Sequence, residues 1–196
     1  MRITGGKYSG RILKVPKGHD VRPTPDLVKQ ALFNSLGERV LNARVLELFG
    51  GTGALSLESL SRGAAHAVCV EKAQRHAQAI RENLIAASLD PATLDVRVQD
   101  VFTALAQLAA KGEQFDLVLA DPPYGEKNVG TRSHSLAQKL LDDSHLPRVM
   151  SAKGLLVLGH TKRDTLEIPP MWEEMKMLKH GDSVMRIFKT VSQISA

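Results

Sequence analysis

At 196 residues, 43 % of them apolar, the chain has the length and composition of one domain able to bury a full core. No stretch has the apolar length of a membrane span or of a secretory leader, one cysteine excludes an internal disulfide, and seven histidines without ligand spacing argue against a metal site, so a soluble cytoplasmic protein is expected. The net charge of +5 is unevenly placed: nine of the 26 basic residues but only three of the 21 acidic ones fall in residues 1–44, as expected for a segment facing a polyanion.

Residues 1–16 read as a small hairpin, with Ile3 and Ile12-Leu13-Lys14-Val15 flanking turn signals at Gly5-Gly6 and Ser9-Gly10. Together with the next few residues they make a basic arm over 1–22, ahead of one larger domain over 23–196. A helix follows, with Thr24 as N-cap, Pro25 at the first helical position, and an apolar face of Leu27, Val28, Ala31, Leu32 and Leu36 closed by Gly37. From residue 44 strands and helices alternate. Strands are predicted near 44–49, 67–71, 94–98, 115–120 and 154–159, and helices near 53–62, 73–88, 101–111 and 133–143. Such alternation predicts a parallel sheet covered by helices on both faces, joined by right-handed crossovers. Residues 174–178 and 184–189 are too short for another βαβ unit and read as an antiparallel pair at the sheet edge, joined through Gly181-Asp182. Cys69, in the run Ala67-Val68-Cys69-Val70, reads as core packing.

Candidate chemistry gathers where the predicted strands end. Strand 44–49 runs through Glu47 into Phe49-Gly50-Gly51-Thr52-Gly53 and a helix, a turn that lets backbone approach a ligand and offers it free N–H groups. Glu71 ends the second strand, at the spacing of an acid that binds ribose hydroxyls. Asp100 ends the third, placed either to reach an adenine edge or to cap the following helix. A dinucleotide fingerprint would need glycine where Ser56 stands, and no Gly-Lys-Ser/Thr is present for a phosphate-binding P-loop.

Asp121-Pro122-Pro123-Tyr124 ends the fourth strand. Prolines carry no N–H, so this turn offers carbonyl acceptors without competing donors. A carboxylate, a carbonyl and a flat ring suit a planar group with an exocyclic amine, the first two accepting its hydrogens while the ring stacks on its face. Pro169-Pro170, between Ile168 and Met171, has neither acid nor ring and reads as a plain turn.

These residues carry a family resemblance. Met1-Arg2-Ile3-Thr4-Gly5-Gly6, Arg22-Pro23-Thr24-Pro25, Leu48 through Leu55, Leu60-Ser61-Arg62-Gly63-Ala64, Val70-Glu71 and Asp116 through Tyr124 resemble the bacterial RsmD-type 16S rRNA guanine-N2 methyltransferases, a branch of the class I S-adenosylmethionine-dependent enzymes. The resemblance implies a Rossmann-like, mostly parallel seven-stranded sheet with a terminal antiparallel hairpin. It implies S-adenosylmethionine held by Glu47, Phe49, Gly50, Gly51, Thr52, Gly53, Glu71, Lys72, Asp100 and Val101. Asp121, Pro122 and Tyr124 are then catalytic. Arg2, Lys7, Arg11, Arg22 and Thr24 meet the substrate, 16S rRNA or an assembling small ribosomal subunit, with no membrane and no metal. The chain departs from the family in having Glu47 for the usual aspartate, Gly50-Gly51-Thr52-Gly53 for Ala-Gly-Ser-Gly, and His160 where an acid is common. Related tetrapeptides serve N6-adenine methylation and, with asparagine first, amide methylation. A non-enzymatic RNA-binding domain would explain the arm but not the acids, and a dinucleotide oxidoreductase would explain Glu71 but not Asp121 to Tyr124.

Overall fold

The structure, a computed structural model, describes residues 1–16, 24–123 and 132–191. In chain order its elements are α1 (Asp26–Leu36), β1 (Arg44–Leu48), α2 (Ala54–Ser61), β2 (His66–Glu71), α3 (Gln74–Ala86), β3 (Leu94–Val98), α4 (Val101–Ala110), β4 (Phe115–Ala120), α5 (Leu136–Asp142), β5 (Met150–Thr161), β6 (Trp172–His180) and β7 (Ser183–Thr190). The strands form one sheet in the order β3-β2-β1-β4-β5-β7-β6. The first five are parallel, and β7 and β6 add to β5 as an antiparallel pair. Among the described residues no helix is long and apolar enough to cross a membrane.

Alternating side chains along each strand divide the core in two. Val45, Leu117, Leu119 and Val157 pack on one face beneath α1, α2, α3 and the N-terminal hairpin; Leu46, Leu48, Val118, Leu156 and Leu158 pack on the other beneath α4 and α5. Burial on both faces is why β1, β2 and β4 read as nearly unbroken apolar runs. Chain progression reverses between β1 and β4, the topological switch where such sheets hold ligands.

Several expected boundaries move. Strand β5 is twice its expected length, because its first residues pair with β4 around an irregularity near Phe115. Helix α5 starts later than position 133, at a point fixed by Ser135, whose hydroxyl accepts from the Gln138 N–H at 3.2 Å. Helix α1 begins at Asp26 with Pro25 as its N-cap residue, so Thr24 is not the cap. Leu27, expected on the apolar face, is 73 % exposed, and Lys29 is buried in its stead.

The N-terminal segment is a hairpin held by the Arg2–Ile12 bridge, and it does not stand apart from the domain: Ile3 and Leu13 belong to the first core cluster. Its backbone is tied down at several points. Tyr8 N–H donates to Ser61 Oγ at 3.0 Å, Ser61 Oγ donates to the Gly5 carbonyl at 2.6 Å, and Asn83 exchanges two hydrogen bonds with the Lys14 backbone. Gly6 has φ +77°, and a Cβ there would overlap the Ser61 carbonyl, so only glycine fits.

Glu58 on α2 is the centre of this docking. Its carboxylate is buried and accepts from Thr4 N–H at 2.7 Å, Thr4 Oγ1 at 2.8 Å and Arg62 Nε at 2.7 Å. Lys29 Nζ, equally buried, lies 3.8 Å from Glu58 and 3.2 Å from Asp26, and donates to the Arg2 carbonyl. Removing one member of such a buried cluster leaves a charge unpaired. Glu58→Ala should therefore destabilise the fold by roughly 3–5 kcal/mol, measured by denaturant unfolding, whereas Glu38→Ala on the exposed turn after α1 should change little.

Candidate active site

The switch between β1 and β4 brings the expected residues to one rim. Leu48 pairs with Ala120, so the residues that follow them, Phe49 and Asp121, are neighbours. Phe49 has φ +61°, a conformation unfavourable for a side chain this bulky, and it opens the glycine turn. Gly53, also left-handed at φ +72°, packs so closely on Ile80 that a Cβ would meet it at 2.7 Å. The turn is thus pressed against α3, and its outer side is the one open to a ligand.

The four strand-end acids hold different partners. Glu47 is 3 % exposed, and its oxygens accept from the Leu55 and Ser56 N–H groups at 3.2 and 2.9 Å, fastening the start of α2. Burial pushes its pKa up to about 7, against the lowering effect of hydrogen bonds from Ser56, Cys69 and Leu55. Glu71 accepts from Gly51 N–H and Ala73 N–H, each at 2.7 Å, with His76 Nδ1 3.4 Å away. It thereby pins the glycine turn to the end of β2, and Oε2, with the Gly51 N–H alone among the hydrogen bonds above, keeps a lone pair available. Asp100 is the N-cap of α4, accepting from Phe102 and Thr103 N–H at 3.0 and 3.3 Å, so the capping alternative describes its contacts here.

Asp121 is arranged differently. Oδ2 accepts from the Thr24 hydroxyl at 2.5 Å, across 97 residues of sequence. Oδ1 is buried with no hydrogen-bond partner among the described residues, lying against Gly159 so closely that a Cβ there would overlap it. Burial raises the Asp121 pKa and the Thr24 hydrogen bond lowers it, with burial the larger effect. Pro122, the next residue, is buried, and Pro123 is exposed. The rim therefore holds one oriented carboxylate with a single free oxygen, an acceptor waiting for a donor.

Other expected residues fall on either side of this picture. Thr52 is buried, its hydroxyl 3.7 Å from Met1 Sδ and its carbonyl taking Asn83 Nδ2 at 3.2 Å, so its side chain serves packing. Val101 is in the second core cluster and can offer a ligand only backbone, whereas Lys72 is exposed beside Glu71. Arg2, Lys7 and Arg11 are available on the hairpin; Arg2 is 3.6 Å from Asp26 and Lys7 sits over the Tyr8 ring. Two residues counted in the basic segment do not belong to that surface. Lys29 is buried, and Arg44, at the opposite end of β1, pairs with Glu113 at 3.0 Å. Tyr124 and Arg22 lie outside the described residues. The Thr24–Asp121 pair escaped sequence reading, since nothing local in either segment signals the other.

Comparison with known proteins follows the geometry. Residues 1–189 match the family model described as Conserved hypothetical protein 95. A Bacillus subtilis protein named Putative rRNA methyltransferase YlbH is 36 % identical over 192 residues, covering 96 % of this chain and 98 % of the relative. The Escherichia coli protein named Ribosomal RNA small subunit methyltransferase D is 40 % identical over 124 residues, 63 % of this chain, and the match spans 60 % of that relative's length. Among solved structures, the putative methyltransferase yhhF from Escherichia coli superposes with a TM-score of 0.81 at 27 % identity, covering 98 % of this chain and 99 % of that one.

The buried Glu47 carboxyl has a consequence for stability. With its folded pKa near 7 and an ordinary value of 4.5 in the unfolded chain, the folded state keeps a proton that the unfolded state has lost. Stability from this group is fully present below about pH 4.5 and is lost as pH rises to 7, by roughly 3 kcal/mol at most. Thermal melts between pH 5 and 8 should show the decline, and Glu47→Gln should flatten it.

Proposed function

The chain belongs to the Conserved hypothetical protein 95 family, whose members include RsmD-type methyltransferases, and on that premise we propose that it methylates the exocyclic N2 amine of a guanine in 16S rRNA, with S-adenosylmethionine as cofactor. The observation that carries this reading is the state of Asp121: one oxygen held by Thr24, the other buried without a partner among the described residues, at a strand end followed by Pro122. An exocyclic amine has two hydrogens and a lone pair delocalised into its ring. Asp121 Oδ1 and the Pro122 carbonyl would accept the two hydrogens and fix the direction of the lone pair. As the new C–N bond forms, positive charge grows on the nitrogen, and the carboxylate stabilises it before taking or relaying the released proton.

S-adenosylmethionine, when bound, would supply an electrophilic sulfonium methyl, with S-adenosylhomocysteine as the leaving group. The residues that would hold it fit its chemistry: Glu71 retains acceptor capacity for a ribose diol, and the Phe49–Gly53 turn presents backbone at the head of α2. Asp100, beside them, would face the adenine. The hairpin bearing Arg2, Lys7 and Arg11 adjoins this rim through α1 and is suited to RNA phosphates. Tyr124 would stack on a base presented unstacked.

Transfer of a tritiated methyl group to small-subunit rRNA, followed by digestion to nucleosides, tests the reading directly. N2-methylguanosine is expected, and N6-methyladenosine would overturn the substrate assignment. In single-turnover assays at saturating cofactor, Asp121→Ala should melt normally yet lose about 10²-fold in rate, the scale of one positioned group facing developing charge. The wild-type rate should fall on acidification with an inflection above the ordinary carboxylate range, because the protonated acid loses its acceptor role, and Asp121→Asn should abolish that inflection. Thr24→Val should slow turnover without changing cofactor affinity, and Thr24→Ser should restore it. Alanine at Arg2, Lys7 and Arg11 together should flatten the dependence of log affinity for RNA on log salt by up to about three units of slope. An unchanged slope would remove the hairpin from the RNA interface.

A further inference from the structure

Parallel pairing sets Asp121 and Gly159 side by side. Ala120 is level with Leu158 across β4 and β5, and the next residues along, Asp121 and Gly159, continue that register. Alternation then fixes the face. Leu117 and Leu119 precede Asp121 at steps of two, Leu155 and Val157 precede Gly159 in the same way, and all four belong to the core cluster beneath α1. Thr24, just before α1, meets Asp121 on that face.

Neighbouring side chains on parallel strands ordinarily stand apart, each over its own backbone. The Asp121 carboxylate instead leans across onto β5, where a Cβ on Gly159 would overlap Oδ1 and meet Cγ at 3.0 Å. That Cβ has no room to yield on its other side. Met185, 1 % exposed and paired with Gly159 from β7, has its sulfur 3.2 Å from the same point. Backbone conformation does not call for glycine at 159, since its φ lies outside the left-handed region. What the position requires is empty space. We propose that Gly159 is a positioning residue for methyl transfer: its missing side chain is the seat that, with the Thr24 hydroxyl on the other oxygen, selects the one rotamer of Asp121 able to meet the target amine. This rests on the reading of Asp121 as the amine acceptor. Rotation of the side chain to another staggered position would give up both contacts. Alanine at 159 would push the carboxylate off its seat, and a shift of about 1 Å in a positioned group costs on the order of 10²-fold in rate.

The experiment measures single-turnover methylation of small-subunit rRNA by the full chain at saturating S-adenosylmethionine, in a double-mutant cycle of Gly159→Ala and Asp121→Ala. Gly159→Ala should lower the rate by roughly 10- to 100-fold with cofactor affinity unchanged. In the Asp121→Ala background the same change should cost nothing further, because no carboxylate is left to displace. Gly154→Ala, on the same strand but beside the start of β4, controls for crowding alone. Its Cβ would meet the Ser151 and Phe115 carbonyls at 2.9 and 3.0 Å, so it should lower the melting temperature and leave the rate as it is. A Gly159→Ala protein that melts normally and methylates at the wild-type rate overturns the assignment. Losses that multiply in the double variant, or a Gly154→Ala protein as slow as Gly159→Ala, overturn it as well. If Gly159→Ala alone does not fold, adding Asp121→Ala should restore a soluble protein, and a double variant as damaged as the single one overturns the seat. An Asp121→Ala protein that keeps the wild-type rate overturns the reading of Asp121 and the seat together, whereas a slow Asp121→Ala beside an unimpaired Gly159→Ala overturns the seat alone.

Discussion

Glu58 shares its two carboxylate oxygens among Thr4, Arg62 and the neighbourhood of Lys29, groups from three different segments, all at or near the protein interior. A carboxylate so far from water is stable only while its donors stay in place, and the Lys29 ammonium is bound by the same condition. The cluster therefore welds α2 to the hairpin and to α1. Thr24 stands two residues before α1 and inherits its position from that weld, which is how its hydroxyl comes to reach Asp121. The geometry of the rim is set in this way by charges that never touch it.

Acids at strand ends divide their work between fold and site along a gradient. Glu47 is wholly structural in its contacts, a tether for α2. Asp100 is a helix cap, and Glu71 both shapes the glycine turn and keeps acceptors in reserve. Asp121 alone holds back a buried oxygen. The extra methylene of Glu47 suits its tethering duty, since the side chain must reach from the strand to N–H groups inside the first turn of α2. Dinucleotide chemistry finds little support in this division, because the helix after the turn is packed through Ser56 and not through a third glycine.

Most of the sheet was legible because its strands are short, apolar on both sides and punctuated by acids, glycines and prolines. The proline turn after β4 was legible for the same reason: its chemistry is contiguous. Charge counting was a poorer guide, since a lysine at 29 or an arginine at 44 looks the same in a string whether it faces solvent, a buried carboxylate or the far end of the sheet. Thr24 looked like a helix cap because threonine before proline is a local signal, and a partner 97 residues away overrode it. Nε2 of His160, buried without a partner among the described residues, is likewise a state no sequence pattern signals. Strand β5 outran its expected length because Met150 pairs with Phe115 of β4 ahead of an irregularity whose residues break the apolar pattern.

The docking of the hairpin also sets an order of events during synthesis. The hairpin is made before the elements it docks on, and several of its backbone and side-chain partners lie 53 to 69 residues later, at Glu58, Ser61 and Asn83. Local turns at Gly6 and Gly10 can form at once, but Ile3 and Leu13 cannot complete their burial until α2 and α3 join α1 in the cluster. Closure of the hairpin onto the domain thus waits for α2 and α3, and the segment proposed to meet RNA takes its docked shape only with them.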